Sequence, residues 1–269
     1  MTAAARRHVR VAHLMGTVVS VHVYGTSLPP DLDAAIDGCF DELRELERVF
    51  STFRPDSDVS RYRDGAAALG DLDPRVADVR DACRRAELAT GRRFTAWFDG
   101  RFDPTGYVKG WAVESTARRW LEPLVARPGV IAAAIDAGGD LQLFTAVDAD
   151  WTWNIGIADP HDRSRVVATV EVRDGAVATS GTAERGSHIL DPATGQPAAA
   201  VSSATVIMPS LTEADVWATA AVVAGPDLSW IDTAPISSGM IVAEDGSVRR
   251  WVGGIEISPA SDSVSGAAV

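Results

Sequence analysis

The stretch IAAAIDAGGD, at Ile131–Asp140, marks the point where helix-like patterns give way to strand-like ones. Its apolar run ends at the pair Gly138-Gly139, and paired glycines between extended segments are typical of a tight turn. Beyond it, most segments are short and are separated by further turn signals such as Asp174-Gly175. The second half of the chain is therefore expected to be mainly β-sheet.

Towards the N-terminus, the spacing of apolar residues is mostly helical. One alternating segment, Thr17–Tyr24, predicts a strand. Apolar residues at three- and four-residue steps then predict an amphipathic helix over Leu32–Phe50. A second helix is predicted from its cap at Asp73 to its end at Gly91, and a third over Val108–Val125.

The strands predicted after residue 130 are interrupted by one helix, Glu213–Ala224. Because strands and helices do not alternate regularly, the pattern favours an α+β fold over a doubly wound α/β sheet. We expect one domain over residues 1–269, with an ordered core of about 14–257 and a frayed tail after 258. The predicted strands are Ile131–Asp136, Trp151–Ala158, Arg165–Arg173, Ala176–Thr179, Ser203–Met208, Gly239–Ala243 and Val248–Val252.

The chain is acidic, with 25 basic and 37 acidic residues and a formal net charge of −12. This balance argues against a nucleic-acid partner, which needs a basic face. No segment has the apolar length of a transmembrane helix, and the stretch before Met15 lacks the apolar core of a secretory signal. These features predict a cytoplasmic protein, in which Cys39 and Cys83 are expected to be buried, reduced thiols.

Asp215 and Thr219 are four residues apart in TEADVWAT, at Thr212–Thr219. On a helix this spacing places a carboxylate and a hydroxyl on one face. Two hard oxygen donors so placed suit Mg²⁺, which completes its shell with water and phosphate. The same segment also fits a capping box, in which Thr212 and Asp215 would only serve the helix N-terminus.

Lys109 follows the turn FDPTG, at Phe102–Gly106, near the predicted start of a helix. A helix start with a lysine beside it can bind a phosphate, because free backbone N–H groups and a positive charge point at one place. Lys109 is the only lysine in the chain, but a single lysine is often only a solvated surface residue. Both interpretations remain open on spacing alone.

His188 precedes a turn that contains Asp191-Pro192. A histidine in such a place can act as a general base, since its unperturbed pKa is near 6.5, or it can hydrogen-bond the turn. Ala137-Gly-Gly-Asp140 lacks the spacing of a dinucleotide fingerprint and is favoured as a hairpin turn.

The order of these segments resembles that of the ApbE-type FAD:protein FMN transferase family. No single segment is diagnostic, but together they follow the family's order over most of the chain. The segments that carry the resemblance are Met15–Thr17, Phe50–Ser60, Asp103–Ala112, Asp136–Asp140, Ala178–Gly181, His188–Gly195 and Ala214–Ala220.

The resemblance implies a tandem of T-fold-like units, with mainly antiparallel sheets and flanking helices. It implies Mg²⁺ held by Asp215, Thr219 and the backbone carbonyl of Gly106, and FAD bound as the substrate. His188 would be the catalytic base. The residues that would line the flavin nucleotide are Met15, Phe53, Phe94, Lys109 and Ile189.

The implied reaction moves FMN from FAD onto a threonine or serine of an acceptor flavoprotein through a phosphoester bond, releasing AMP. Two alternatives stay open: a magnesium-dependent FAD pyrophosphatase, which would use water as the acceptor, and a carrier or sensor that holds FAD without catalysis. Retention of Asp215, Thr219 and His188 together favours an enzyme, because a carrier does not need a base.

Overall fold

The computed structural model describes residues 5–98, 100–181, 189–234 and 238–257. Its strands are β1 (Arg6–Leu14), β2 (Thr17–Gly25), β3 (Trp97–Phe98), β4 (Arg101–Phe102), β5 (Val130–Ala137), β6 (Asp140–Thr145), β7 (Trp153–Ala158), β8 (Val166–Val172), β9 (Gly175–Gly181), β10 (Val201–Met208), β11 (Ser238–Ala243), β12 (Val248–Val252) and β13 (Ile255–Ile257). Its α-helices are α1 (Leu32–Phe50), α2 (Asp58–Arg63), α3 (Pro74–Ala89), α4 (Thr105–Trp120), α5 (Glu122–Val125) and α6 (Leu211–Ala224). Short 3₁₀ turns lie at Leu69–Asp71 and Ser229–Thr233.

Nine strands form one antiparallel sheet in the order β1-β2-β5-β6-β9-β10-β11-β12-β13. Each half of this sheet consists of two strands, then a helical segment, then two more strands. In the first half, β1 and β2 are followed by α1–α5 and then by β5 and β6; in the second, β9 and β10 are followed by α6 and then by β11 and β12. Antiparallel pairing of β6 with β9 joins the halves. The predicted α+β fold is therefore confirmed.

The two faces of the large sheet are covered differently. Helices pack on one face, where Val21 of β2 and Ile135 of β5 belong to the same buried cluster as Leu43 of α1. The hairpin of β7 and β8 covers the other face, where Trp153 packs with Leu143. Both faces are thus buried over the middle of the sheet.

Local sequence signals set the helix boundaries. The carboxylate of Asp73 accepts the N–H of Arg75 (2.9 Å), which confirms the predicted cap of α3. The third predicted helix starts earlier, at Thr105, and stops at Trp120, and the short helix α5 follows with Pro123 in its first turn. Proline cannot continue a preceding helix without losing a backbone hydrogen bond, so the single helix predicted to Val125 is wrong.

Three strands of the sheet, β1, β6 and β13, are not predicted from the sequence. β13 has only three residues and all of them are exposed, so it has no apolar face. β1 is an edge strand whose arginines and histidines alternate with small apolar residues, and most of it is exposed or half-exposed. Such a strand has only a weak apolar face, so its periodicity is hard to recognise. β6 directly follows the turn at Gly138-Gly139 and completes the hairpin that starts with β5.

Cys39 and Cys83 are both free and buried, as predicted. Burial raises the pKa of the Cys39 thiol to about 12, because the thiolate would lose its hydration. Both thiols therefore pack as small apolar side chains. Among the described residues, the helices are too short or too polar to cross a membrane.

Candidate active site

Lys109, the only lysine of the sequence, lies in the first turns of α4 and faces two buried carboxylates. Its Nζ forms an ion pair with Oδ2 of Asp140 and lies 3.8 Å from Oδ1 of Asp215. The side chain of Lys109 is 23% exposed, whereas those of Asp140 and Asp215 are 1% and 4% exposed. The interpretation of Lys109 as a solvated surface residue is therefore wrong.

Asp140 reaches this cluster from the hairpin of β5 and β6. Ala137 pairs with Asp140, so Gly138 and Gly139 alone form the turn, with φ of 66° and 94°. Positive φ at both positions is the reason for two glycines, and the hairpin interpretation is confirmed. The Oδ1 atom of Asp140 also accepts the N–H of Thr179 on β9 (3.1 Å), which fixes the carboxylate to the sheet.

A third carboxylate, Asp136, lies on the other side of the same turn. It accepts the N–H of Gly139 (2.8 Å). Burial raises the pKa of Asp136, and the neighbouring charge of Asp140 adds to the rise. Asp136 and Asp140 thus lie close enough at this end of the hairpin for their charges to interact.

Asp215 and Thr219 lie one turn apart on α6, as predicted. The Oγ1 atom of Thr219 hydrogen-bonds to Oγ of Ser180 on β9 (3.0 Å). The N-cap of α6 is Ser210, whose hydroxyl accepts the N–H of Glu213 (3.3 Å). The capping-box interpretation of Thr212 and Asp215 is therefore wrong, because Asp215 lies inside the helix and faces Lys109.

The α4 and α6 helices touch at Gly110. A methyl group built on Gly110 would lie 3.0 Å from both Cβ of Asp215 and the backbone oxygen of Leu211. Because the oxygen belongs to backbone, it cannot move aside as a side chain can. Gly110 thus allows the close approach that brings Asp215 to Lys109.

We expect Gly110→Ala to destabilise the protein by about 1–2 kcal/mol, because the added methyl group overpacks the helix contact. Alanine's better helix propensity, worth roughly 1 kcal/mol, offsets part of that cost. The same methyl group pushes on Asp215, and we expect divalent-cation affinity to fall about 10-fold. Calorimetric titration with MgCl₂ and urea unfolding measure both effects. Gly70→Ala is the control, since a methyl group at Gly70 meets no atom within 4 Å. Wild-type affinity in Gly110→Ala would show that the helix spacing does not matter to the site.

The oxygen atoms around Lys109 fit a hard divalent cation. Carboxylates and hydroxyls are the ligands that Mg²⁺ prefers, whereas Zn²⁺ prefers sulfur and nitrogen. Asp140 and Asp215 with Lys109 carry a net charge of −2 + 1 = −1. Among the described residues, no group of three His, Cys, Asp or Glu side chains forms a metal cluster, so a cation here would share hydroxyl, backbone and water oxygens.

Several predicted flavin-lining residues lie near the start of α4. Phe94 is buried and packs against Gly106, where an added methyl group would lie 3.3 Å from its ring. Phe53 is 90% exposed on a loop held by hydrogen bonds, and its neighbour Thr52 lies 3.4 Å, Oγ1 to Oγ1, from Thr105. An exposed aromatic ring can stack on another flat aromatic ring.

The other three predicted site residues are Met15, Ile189 and His188. Met15, with φ of 53°, lies in the turn of β1 and β2, which adjoins the Gly138 turn through Thr17. Ile189 is buried in the helix-side core, where its carbonyl accepts the N–H of Ala198 (2.9 Å). His188 lies outside the described residues, so its role stays a prediction.

Asp140 is the member of the cluster to which the sequence assigned no role. Its only signal is position: it is an acidic residue placed directly after an apolar strand and a two-glycine turn. The same signal is typical of many surface hairpins. Only its burial and its contact with Lys109 separate it from them.

Comparison with known proteins finds one family and several relatives. The model of the ApbE family matches residues 15–105 and 97–236. An FAD:protein FMN transferase of Treponema pallidum is 27% identical over 84% of this chain and 81% of the relative. One of Klebsiella pneumoniae is 30% identical over 54% of this chain, and that match spans 43% of the relative.

Solved structures share the fold. The ApbE protein of Thermotoga maritima has a TM-score of 0.78 at 22% identity, covering 91% of this chain and 97% of its own. The flavin transferase ApbE of Vibrio cholerae has a TM-score of 0.72 at 21% identity, covering 93% and 98%. Both likenesses cover most of each chain, and at these identities they concern the fold alone.

Proposed function

Because the chain belongs to the ApbE family, we propose that it transfers the FMN half of FAD to a threonine or serine hydroxyl of an acceptor protein, with release of AMP. The observation that carries the proposal is the cluster of Lys109 with the buried carboxylates of Asp140 and Asp215. Relatives named FAD:protein FMN transferase support the same reaction.

The charge of the site explains the need for a metal. A net charge of −1 at Lys109, Asp140 and Asp215 would repel the FAD pyrophosphate. One divalent cation changes that sum to −1 + 2 = +1, which attracts it. We assign Asp215, Thr219 and the carbonyl of Gly106 as the protein ligands of Mg²⁺. When bound, Mg²⁺ supplies electrostatic stabilisation of the charge that grows on the phosphoryl oxygens and on departing AMP.

Several residues of the chain have separate roles in the proposed reaction. Lys109 holds a fixed positive charge beside the phosphates, with its orientation set by Asp140. Phe53 is exposed on the loop after α1, next to Thr52, which contacts Thr105 at the start of α4. Phe53 would stack on a flat ring of FAD, and Phe94 with Met15 would close the sides of the nucleotide site. These contacts would align the FMN phosphorus for attack in line with the departing AMP oxygen.

His188 is our candidate for the general base. It would take the proton of the acceptor hydroxyl as that oxygen forms its bond to the FMN phosphorus and the bond from phosphorus to the AMP oxygen breaks. The products are the acceptor with a phosphoester-linked FMN, and AMP. We also propose that the reaction takes place in the cytoplasm.

Intact-mass analysis tests the proposal directly. The full chain is incubated with FAD, MgCl₂ and a candidate acceptor, and an acceptor heavier by one FMN, with AMP released in equal amount, is the expected result. AMP and free FMN without a heavier acceptor would instead identify a pyrophosphatase. Bound FAD that stays intact would identify a carrier.

We expect His188→Ala to bind FAD as the wild type does but to transfer FMN roughly 100- to 10,000-fold more slowly, which is the usual contribution of a general base. Flavin fluorescence titration measures the binding, and the mass assay measures the transfer. His161→Ala, at an exposed turn, is the matched control and should change neither. Transfer at the wild-type rate by His188→Ala would remove this residue from the mechanism.

A further inference from the structure

Glu114 is an acid on α4 whose carboxylate binds the start of a different helix. Its Oε2 accepts the hydroxyl of Ser210 (2.6 Å), the N–H of Thr212 (2.9 Å) and the hydroxyl of Thr212 (2.6 Å). Its Oε1 accepts Nε of Arg118 (2.9 Å). One carboxylate thus takes three hydrogen bonds from the residues that begin α6.

The ionised form of Glu114 is the one that this environment favours. Burial works to raise the pKa of Glu114, but the hydrogen bonds from Ser210 and Thr212 outweigh it and hold the pKa below its ordinary value. A negative charge at the N-terminus of α6 is also favourable to the helix dipole. Glu114 is therefore a charged anchor for α6 at neutral pH.

The position of this anchor matters because of what the two helices carry. Glu114 lies five residues after Lys109 on α4, and Thr212 lies three residues before Asp215 on α6. The helices also touch at Gly110, where an added methyl group would lie 3.0 Å from Asp215. Contact at Gly110 sets how closely the helices approach, whereas the hydrogen bonds of Glu114 set how far α6 can slide along α4.

We propose that Glu114 is a positioning residue that fixes the separation of Asp215 from Lys109 by tying the first turn of α6 to α4. The proposal rests on the proposed function, since Asp215 is there a ligand of Mg²⁺. In this proposal Glu114 is neither a ligand of the metal nor a contact of the substrate. Its effect on the site runs through the backbone of α6.

A second anchor makes the proposal testable without unfolding the protein. Gln142, which is buried on β6, accepts the N–H of Leu211 (3.1 Å) and donates to the carbonyl of Gly175 (3.0 Å). The start of α6 therefore stays attached to the sheet when Glu114 is changed. We expect Glu114→Gln to fold, with the first turn of α6 held less tightly against α4.

Direct titration of the metal is the first readout. Removal of a group that orients a metal ligand typically lowers metal affinity by roughly 10- to 100-fold, and we expect a loss in this range for MgCl₂ binding to Glu114→Gln. Thr212→Val, which removes one hydroxyl donor, should weaken binding less, and the double variant should be no weaker than Glu114→Gln alone. Glu213→Gln, an exposed acid in the same turn of α6, is the control and should bind as the wild type does.

The single lysine provides a readout that needs no metal. Protein labelled with ¹³C,¹⁵N-lysine gives one side-chain Nζ signal, that of Lys109. If Glu114 positions α6, Thr212→Val shifts this signal in the metal-free protein although the Glu114 charge is intact. A signal that moves only in Glu114→Gln would indicate a simple charge effect and overturn the proposal, as would unchanged metal affinity in both variants. A wild type without Mg²⁺ affinity would refute the metal site, while the lysine signal would still decide the role of Glu114.

Discussion

Asp215→Asn is expected to lower magnesium-dependent turnover of FAD by about 1,000-fold or more. Loss of a residue that merely orients a metal ligand costs roughly 10- to 100-fold, and loss of the charged ligand itself costs more. Steady-state release of AMP over a range of MgCl₂ concentrations measures the effect. Glu213→Gln makes the same change of acid to amide on an exposed face of the same helix and should leave turnover unchanged.

The stability of Asp215→Asn separates a lost ligand from a damaged fold. In the metal-free protein, Asp140 and Asp215 outnumber the one ammonium of Lys109. The amide removes the surplus charge while keeping the size of the side chain, so we expect the free energy of unfolding to stay constant or to rise. Sites built for function commonly trade stability in this way. Equal turnover in Asp215→Asn and the wild type would exclude Asp215 as a ligand.

In this protein, the sequence could predict the features that depend on residues close together along the chain. The apolar spacing of α1 and the cap of α3 at Asp73 depend on residues within a few positions of one another, and both are confirmed. The pairing of Asp215 and Thr219 on one helix face is local for the same reason. Helical periodicity alone relates residues three and four apart, so it predicts such pairs before any tertiary contact is known.

The contacts that define the site are long-range, and the sequence could not predict them. Lys109 meets Asp140 because β6 lies beside α4, and the two-glycine turn was correctly predicted without revealing which way its acid points. Glu114 is 96 and 98 residues away from the donors Ser210 and Thr212. A glutamate on an amphipathic helix is usually a solvated residue, so no local signal separates Glu114 from the others.

Lys109→Met is expected to have the largest effect on stability. The change leaves the buried carboxylate of Asp140 without its ammonium partner, and breaking a buried pair in this way typically costs about 3–5 kcal/mol. Urea unfolding of metal-free protein measures the loss. Arg10→Met is the control: it breaks the exposed pairs of Arg10 with Asp33 and Asp37, and exposed pairs contribute little.

A second substitution shows whether the loss comes from the unpaired charge. Lys109→Met combined with Asp140→Asn removes both partners, and we expect it to recover most of the stability, because an amide is far cheaper to bury than a carboxylate. MgCl₂ should also stabilise Lys109→Met more than the wild type, since a divalent cation that binds the folded form replaces the missing charge. If Lys109→Met unfolded at the wild-type urea concentration, the ion pair would contribute nothing to the fold. If the double variant were no more stable than Lys109→Met, the loss would come from packing of the lysine chain, and Asp140 would not be the group that Lys109 neutralises.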